Sequence, residues 1–376
     1  MEHLVILRSY GDILNLKNYN CQEIGLGKSL LKKGLKVTIL MAGDENVESQ
    51  INTEYGSLTI SFIKISWKLH ARYCWFQGLE KRLDKLDPTL LQVHDMDLLM
   101  TWRAVRWAKK RNIPCFLIQG PYDKWRKPIL RQLNEIYNRT FGCYILNNVK
   151  KIGVKTILAD YYLNGYVKCK TKLTPVGLDT SVFTESVIKD WKKELGLTGK
   201  KILLYVGSIQ ARRNPYFLLE LLGSLPDSYV LIMVGKGNLL NDIKCKISSS
   251  NLCDRCFILE RLSQKELPSL YMASDCFLLP SDYEIFGMVL MESMFFGLPV
   301  ITTKTTGSDF IVEDKKSGFI IPELNVEKWA QCIHNLCYNQ DLHNSISQNS
   351  QKRIQKMFLW DSISANFFSL YFDKEQ

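Results

Sequence analysis

Apolar runs of four to seven residues alternate with amphipathic segments along the chain, which predicts βαβ units and parallel sheets. In the first half we predict strands at 3–8, 36–41, 59–65, 90–94, 114–119, 143–147 and 172–175, and helices at 22–33, 98–111, 128–141 and 150–163. A second strand series lies at 201–207, 229–234, 256–259, 276–279 and 299–302, with helices between the strands. The tail, 325–372, is predicted to be helical throughout.

A charged, turn-rich segment at 184–198 separates the two series. We therefore predict an α/β protein with two Rossmann-like domains, over 1–180 and 181–355, and a C-terminal helix over 356–376 that returns to the first domain. Ligands of open α/β sheets bind outside the carboxyl ends of the strands. Two such domains facing each other would hold one ligand each across a cleft.

Composition narrows the class of protein. The chain has 376 residues, of which 46% are hydrophobic, so extended disorder is excluded. The longest run without a charged residue, 329–340, has 12 residues, short of the roughly 20 that a membrane-spanning helix needs. The first residues lack the basic start of a signal peptide, so we expect a cytoplasmic protein.

Its 11 cysteines are scattered, and we expect even Cys253 and Cys256, in a C-x-x-C spacing, to be structural rather than metal ligands.

The net charge of +11 is unevenly placed. Residues 1–180 carry 28 basic and 16 acidic side chains, a net charge of +12, whereas 181–376 carry 21 and 22. The first half is therefore expected to meet an anionic partner. Charge alone leaves nucleic acid, a membrane surface and a phosphorylated substrate open.

The densest group of chemistry-bearing residues follows the strand at 276–279 and opens a helix. A helix N-terminus in that place offers free backbone N–H groups and a positive dipole end, which suit a phosphate. Gly287 would let the backbone approach a ligand. Glu284 precedes the first turn, and Glu292 lies two turns into the helix among apolar residues, where a carboxylate normally has a partner. We favour a binding site over the alternative, in which Glu284 caps the helix and Glu292 is solvated.

Glu284 and Glu292 form an E-x7-E motif in a setting that resembles retaining glycosyltransferases of the family 4 type, which have the GT-B fold. Five further segments match that family in order. They are Pro175-Val176-Gly177-Leu178-Asp179 with Phe183, Tyr205-Val206-Gly207-Ser208-Ile209 with Arg212-Arg213-Asn214, Val234-Gly235-Lys236-Gly237, Gly297-Leu298-Pro299-Val300-Ile301 with Gly307-Ser308-Asp309, and Gly318-Phe319. The resemblance is specific over 175–322 and general over 1–174.

The resemblance implies a nucleotide-sugar donor, a UDP- or GDP-sugar, bound as substrate by the second domain, and no cofactor. Glu292 would hold the ribose hydroxyls, Glu284 the donor sugar's hydroxyls, and Arg213 the charge of the leaving group. The diphosphate would lie on the backbone N–H groups of four consecutive residues, Phe286, Gly287, Met288 and Val289. The other donor-side positions are Gly207, Ser208, Arg212, Gly235 and Leu262.

One departure from the family's pattern changes these expectations. Ser208 stands where the family often has an arginine, so Arg212 is expected to replace that diphosphate contact. Since an arginine and fixed dipoles can stabilise a departing diphosphate, we expect metal-independent transfer. The spacing of Asp95 and Asp97 matches an Asp-x-Asp metal motif, but we expect a helix cap there.

In the first domain, His94 ends a predicted strand. The resemblance places such a histidine near the reacting sugar, and the alternative is that it caps the strand turn. Asp95, Tyr10 and Gly11 are the acceptor-side candidates, because the loops at 9–12 and 19–23 stand where the family has paired glycines.

Three clusters mix basic and aromatic residues, at 64–68, 102–111 and 124–127. Tryptophan with lysine and arginine suits the interface of an anionic membrane, and we find no base-reading motif for nucleic acid. We therefore expect a hexosyltransferase that extends a lipid-linked glycan for a bacterial surface polysaccharide, peripheral at the inner face of the cell membrane. Two alternatives stay open: a soluble transferase that makes a small glycoside or glycoconjugate, and a non-catalytic sugar-nucleotide-binding protein of the same fold.

Overall fold

The computed structural model describes residues 1–14, 16, 21–121, 128–184 and 186–373. The chain divides into two compact units: unit 1 comprises Met1–Gly177 and Trp360–Gln376, and unit 2 comprises Leu178–Leu359. The predicted domain boundaries at 180 and 355 lie three and four residues from these divisions.

Unit 1 is a twisted sheet with helices packed against it. Its elements in chain order are β1 (His3–Leu7), α1 (Gln22–Lys32), β2 (Lys36–Gly43), β3 (Glu48–Thr53), β4 (Gly56–His70), β5 (Tyr73–Phe76), α2 (Leu79–Leu86), β6 (Leu90–His94), α3 (Leu99–Lys110), β7 (Cys115–Gln119), α4 (Pro128–Tyr137), a π-helical turn (Asn138–Gly142), α5 (Cys143–Asn148), β8 (Lys151–Val154), α6 (Ile157–Asn164) and β9 (Thr171–Leu173).

The strand order of this sheet is β3-β4-β2-β1-β6-β7-β8-β9, with β5 paired to β4. Strands β1, β6 and β7 are buried along their whole length, as expected for parallel strands covered on both faces. Strands β3 and β5 pair antiparallel to β4. The apolar alternation predicted the parallel strands other than β8, and it predicted neither of these two.

Unit 2 has its own parallel sheet, of order β12-β11-β10-β13-β14-β15. Its elements are α7 (Trp191–Glu194), β10 (Lys201–Val206), α8 (Pro215–Ser224), β11 (Tyr229–Val234), α9 (Leu240–Ser248), β12 (Cys256–Leu259), α10 (Leu267–Ala273), β13 (Cys276–Leu279), α11 (Met288–Phe295), β14 (Val300–Thr302), α12 (Thr306–Ile311), β15 (Phe319–Ile320), α13 (Val326–Tyr338) and α14 (Gln340–Met357).

The last helix, α15 (Trp360–Phe372), packs in unit 1. Ser29 Oγ on α1 donates to Ser364 Oγ over 2.8 Å, and the Tyr371 ring lies edge-on to Phe116 of β7 with centroids 5.1 Å apart. A Cβ on Gly177 would lie 2.6 Å from the Trp360 ring. Glycine therefore allows the chain to pass beneath that indole where α15 begins.

Two predicted elements are wrong. The segment Cys143–Asn147, predicted as a strand, lies in helix α5, because a short apolar run does not distinguish a buried strand from one face of a helix. The predicted helix Lys150–Leu163 is strand β8 followed by α6. Ile152 and Val154 are buried there by the parallel pairing of β8 with β7 and β9.

Candidate functional site

The predicted donor-side residues of unit 2 follow four neighbouring parallel strands. Gly207 to Arg213 come after β10, Gly235 after β11, Leu262 after β12, and Glu284 to Val289 after β13. Because these strands pair in parallel, their carboxyl ends share one edge of the sheet. The fold thus brings the loops together along the edge where α/β proteins bind ligands.

Glycines allow two of these loops to touch. Gly235 has φ +148°, and a Cβ there would lie 1.9 Å from the carbonyl oxygen of Gly207. A Cβ on Gly237 would lie 2.0 Å from the carbonyl oxygen of Ile209. The Gly207 N–H donates to Val234 O over 2.9 Å. Gly235, predicted to bind the donor, therefore also has a packing role, as does Gly237, since any side chain at either position would separate the loops.

Arg212 ties the β10 loop to the β13 loop. Its Nη1 donates to Tyr283 O over 3.0 Å, and its Nε donates to the Gln210 amide oxygen over 3.0 Å. Ser208 Oγ lies 2.6 Å from the same amide, and Ser208 O accepts from the Tyr205 hydroxyl. Arg212 was predicted to replace a diphosphate contact, but most of its donors are used within the protein.

Arg213 and Glu284 form an ion pair across the same two loops, from Nη1 to Oε1. The Arg213 side chain is 12% exposed and the Glu284 side chain 8%, and Arg213 Nη1 also donates to Ser281 Oγ over 3.1 Å. Burial, with Arg212 nearby, lowers the pKa of Arg213 to about 10, so its guanidinium stays charged at neutral pH. Its Nε is buried and has no hydrogen-bond partner among the described residues. The structure thus pairs a largely covered cation after β10 with a buried carboxylate that shortly precedes α11.

Asn214 and Ser281 support this pair, and the sequence interpretation missed both. Asn214 has a left-handed backbone, φ +51°, and its Nδ2 donates to Pro280 O over 2.8 Å and to Asp282 Oδ1 over 2.6 Å. Asn214 directly follows Arg213, and Ser281 stands three residues before Glu284, so the polar residues near each motif position were the available signal.

Gly287 is the N-cap of α11 and has φ +82°, a conformation that glycine adopts without strain. Phe286 before it is buried between Phe310 and Phe358, with ring centroids 5.7 and 6.3 Å away. The predicted diphosphate cradle, Phe286 to Val289, therefore leads into the start of an anchored helix whose first N–H groups have no intrahelical acceptor.

Glu292 lies on the buried side of α11, where its Oε2 accepts a hydrogen bond of 2.9 Å from the Tyr271 hydroxyl of α10. Burial raises the pKa of Glu292 to about 7, against the effect of that hydrogen bond. The alternative of a solvated Glu292 is wrong, because 9% of the residue is exposed. Leu262, the predicted base-side residue, is half-buried in the loop before α10.

In unit 1, His94 ends β6 in a buried polar chain. Tyr371 of α15 donates to Gln92 Oε1, the Gln92 amide nitrogen lies 2.9 Å from His94 Nε2, and His94 Nδ1 lies 3.7 Å from Glu23 Oε1. Burial lowers the pKa of His94, although Glu23 opposes the shift. Both ring nitrogens of the predicted sugar-contacting histidine thus face protein groups.

Asp95 and Asp97 are not helix caps, contrary to prediction. The N-cap of α3 is Leu98, which makes no side-chain capping bond. Asp95 accepts from the Tyr10 hydroxyl and, over 2.8 Å, from the Gly120 N–H, while Asp97 pairs with Arg72.

The hydrogen bond from the Tyr10 hydroxyl to Asp95 brings these two acceptor-side candidates together, and Gly11 is next to Tyr10. The Gly11 N–H donates to Ala71 O over 2.8 Å. Residues 19 and 20 of the predicted acceptor loop lie outside the described residues.

The basic and aromatic clusters differ in exposure. Trp67 is 51% exposed, Trp102 is half-buried, and Trp107 is a core residue whose Nε1 donates to Asp84 over 2.9 Å. The cluster at 124–127, with Trp125, lies outside the described residues.

All 11 cysteines are free thiols, and Cys256 is buried in β12. In the part of the chain that the structure describes, no three His, Cys, Asp or Glu side chains are placed to share a metal ion. Within the same residues, no helix has both the length and the apolar character of a membrane span.

Residues 187–353 match the family model described as Glycosyl transferases group 1. The chain is 27% identical over 222 residues to Spore coat protein SA of Bacillus subtilis, covering 54% of this chain and 59% of that protein. It is 26% identical over 225 residues to D-inositol 3-phosphate glycosyltransferase of Corynebacterium jeikeium, covering 56% and 54%. It is 28% identical over 222 residues to UDP-Gal:alpha-D-GlcNAc-diphosphoundecaprenol alpha-1,3-galactosyltransferase of Escherichia coli, covering 56% and 54%. The matches span somewhat over half the length of these relatives.

Solved structures match over nearly the whole chain. Sucrose-phosphate synthase from Thermosynechococcus elongatus has a TM-score of 0.79 at 20% identity, covering 99% of this chain and 98% of that one. Anabaena HepE in complex with UDP and glucose has a TM-score of 0.74 at 13% identity, covering 98% and 99%. The predicted fold class, α/β of the GT-B type with two parallel-sheet domains, is confirmed, and the matches support a glycosyltransferase family.

Proposed function

We propose that this protein is a retaining glycosyltransferase that moves a hexose from a UDP- or GDP-sugar to a lipid-linked glycan during synthesis of a bacterial surface polysaccharide. The observation that carries the proposal is the largely buried Arg213–Glu284 pair in the loops after β10 and β13, where Glu284 shortly precedes the N-terminus of α11. A cation, a carboxylate and a helix N-terminus are the groups that a nucleotide-sugar would require.

The proposed chemistry follows from what each group offers. Breaking the bond between the sugar's anomeric carbon and the diphosphate leaves negative charge on phosphate oxygens, which Arg213 and the first N–H groups of α11 would take up. Glu284 accepts hydrogen bonds, so it would hold the hydroxyls of the donor sugar after exchanging its contact with Arg213. Glu292 would hold the ribose. The acceptor hydroxyl would give its proton to an oxygen of the departing diphosphate and bond to the anomeric carbon on the face that the diphosphate leaves.

The comparisons support the donor and acceptor classes. HepE was solved with UDP and glucose, which favours a uridine nucleotide. The Escherichia coli relative is named for transfer of galactose to a GlcNAc-diphosphoundecaprenol, an acceptor on a lipid diphosphate. The excess of basic residues in the first half of the chain is complementary to the negative charge of such a lipid diphosphate.

The test is a screen of UDP-glucose, UDP-galactose, UDP-N-acetylglucosamine and GDP-mannose by thermal shift and by hydrolysis of the free donor. A ligand at 100 times its Kd stabilises the fold by about 2.7 kcal/mol, enough to raise Tm measurably. We expect one donor to bind and to be slowly hydrolysed, and Glu284→Gln to hydrolyse it much more slowly. Glu220→Gln, at an exposed carboxylate on α8, is the matched control and should behave like the wild type.

A second candidate acceptor is a small soluble molecule, which the similarity to D-inositol 3-phosphate glycosyltransferase favours. Transfer assays with undecaprenyl-diphosphate glycans and with inositol phosphate distinguish the two, and NMR of the product gives the anomeric configuration. Donor binding without hydrolysis or transfer to either acceptor would contradict both and leave a non-catalytic binding protein.

A further inference from the structure

Helix α4 of unit 1 buries a polar residue and exposes an apolar face. Ile129, Leu133 and Ile136 are 73%, 59% and 62% exposed, and their spacing of four and three residues places them on one face. Asn134, on the opposite side, is 4% exposed. A surface helix normally buries its apolar face, so the orientation of α4 is the reverse of the usual one.

Specific hydrogen bonds hold α4 in this orientation. Asn134 Oδ1 accepts from the Tyr73 hydroxyl of β5 over 3.2 Å, and the Tyr137 hydroxyl donates to Leu98 O over 3.0 Å. In the π-helical turn that follows, Asn138 Nδ2 donates to the Tyr162 hydroxyl of α6 over 2.8 Å. Turning the helix to bury its apolar face would break these bonds, so the exposed face is part of the fold.

Aromatic and basic side chains of α3 lie beside the turn that ends α4. Phe141, after α4, packs edge-on against Trp102 of α3, with centroids 4.9 Å apart, and the Arg106 guanidinium lies over the Trp102 ring. Trp102, Arg106 and Lys110 line one groove of about 240 Å³. We call the exposed face of α4 together with Phe141, Trp102, Arg106 and Lys110 the α4 surface.

The positive charge around the α4 surface favours an anionic bilayer over a second copy of the chain as its partner. The stretch 101–150, which contains α3 and α4, carries 11 basic and 2 acidic residues, a net charge of +9. Two copies joined through this surface would bring two such segments together, and like charges repel. An anionic bilayer complements both features, because its interface accepts an apolar helix face and its headgroups attract lysine and arginine.

We propose that the α4 surface docks on an anionic phospholipid bilayer, with α4 lying in the interface and Ile129, Leu133 and Ile136 entering the acyl region. Arg106 and Lys110 contact headgroups. The purpose of this docking, to bring unit 1 to an acceptor held in the membrane, rests on the proposed function. The docking itself does not require it.

The test measures partition of the full chain onto vesicles of phosphatidylglycerol and of phosphatidylcholine by co-sedimentation at low and high salt. We expect binding to phosphatidylglycerol at low salt, weaker binding at high salt, and little binding to phosphatidylcholine. Changing Ile129, Leu133 and Ile136 together to Gln should weaken binding about tenfold or more, and Arg106→Gln with Lys110→Gln should reduce its salt dependence.

The matched control changes Ile188, Met272 and Met357 together to Gln, because these apolar residues of unit 2 are exposed to a similar degree. This variant should bind vesicles like the wild type. Equal loss of binding in both triple variants, or no wild-type binding to phosphatidylglycerol, would overturn the proposal. So would a wild-type dimer by light scattering that the α4 variant converts to a monomer.

Hydrolysis of free donor separates this proposal from the proposed function. The α4 variants leave unit 2 unchanged and should hydrolyse donor at the wild-type rate. Vesicle binding by a protein that neither binds nor hydrolyses any donor would contradict the proposed function and leave the docking intact. Hydrolysis without vesicle binding would overturn the docking and leave the donor chemistry intact.

Discussion

The hydroxyl of Tyr271 donates a hydrogen bond of 2.9 Å to Glu292 Oε2 inside unit 2. Burial raises the pKa of Glu292 from an ordinary 4.5 to about 7, although this hydrogen bond favours the ionised form. The carboxylate proposed to hold the donor ribose is therefore close to half-protonated at neutral pH.

The stability contributed by the protonated carboxyl of Glu292 should depend on pH. A raised pKa means that the folded state binds the proton more tightly, so this stability is complete below pH 4.5 and is lost as pH rises through about 7. The difference between the pKa values of the folded and unfolded states corresponds to about 3 kcal/mol of unfolding free energy, at 1.36 kcal/mol per pKa unit. Glu292→Gln should therefore match the wild type near pH 4.5 and exceed its unfolding free energy at pH 8. Denaturant unfolding of both proteins at pH 4.5 and pH 8 measures this difference. The same change in unfolding free energy with pH in both proteins would contradict the prediction.

Donor affinity should rise as Glu292 ionises. Ribose hydroxyls donate to a carboxylate more strongly than to a protonated carboxyl, so the donor should bind more tightly at pH 8 than at pH 6. In Glu292→Gln this pH dependence should disappear and the donor should bind more weakly throughout. Calorimetric titrations at the two pH values provide the measurement. An unchanged affinity in the variant would remove Glu292 from the donor site.

The Arg213–Glu284 pair should carry both stability and turnover. Arg213→Ala leaves Glu284 buried without its cation, a change that typically costs about 3–5 kcal/mol. If Arg213 takes up leaving-group charge, the variant should also lose on the order of 10²-fold or more in kcat, as removal of one transition-state donor does. Arg213→Lys keeps the charge but loses the planar fork, so an intermediate kcat is expected. Wild-type kcat in a folded Arg213→Ala protein would exclude this role.

The sequence predicted the residues that follow the strands of unit 2 but not how they contact one another. Local sequence patterns predict where the strands end and that a helix begins at Gly287. The motif residues lie in the loops at these strand ends, along the predicted binding edge of the sheet. The pairing of Arg213 with Glu284 joins residues 71 positions apart in the sequence, and no local pattern specifies such a contact. Unit 1 was predicted less well, because its antiparallel strands β3 and β5 and the helix α5 depend on tertiary packing rather than on periodicity.

Transfer should continue when divalent metals are removed. Arg213 and the N-terminus of α11 are proposed to stabilise the diphosphate, so EDTA should leave kcat within about twofold of the untreated rate. Assays after chelation, with and without added manganese, measure this. Loss of activity that manganese restores would mean that a cation, not Arg213, neutralises the leaving group.

Gly235→Ala should disrupt the donor-side loops. The added Cβ would lie 1.9 Å from Gly207 O, and the φ of +148° is one that alanine adopts only with strain. The loops after β10 and β11 must therefore separate, at a cost of a few kcal/mol. Gly223→Ala, where a Cβ would meet no atom within 4 Å, is the matched control. Thermal unfolding of the two variants compares them, and equal Tm values would contradict the required contact.

His94 lies in the buried polar chain that runs from Tyr371 through Gln92. Burial lowers the pKa of His94, so the unfolded state binds the imidazole proton more tightly than the folded state does. The free energy of unfolding should therefore fall as pH drops below about 6.5. His94→Gln should remove that part of the acid sensitivity. Tyr371→Phe leaves the buried Gln92 amide oxygen without its donor, at a cost of about 1–3 kcal/mol. If His94 contacts the reacting sugar and Tyr371 only orients it through Gln92, His94→Gln should reduce kcat far more than Tyr371→Phe does. Equally small reductions in both would assign His94 to packing, since its Nε2 is hydrogen-bonded to Gln92 and its Nδ1 faces Glu23.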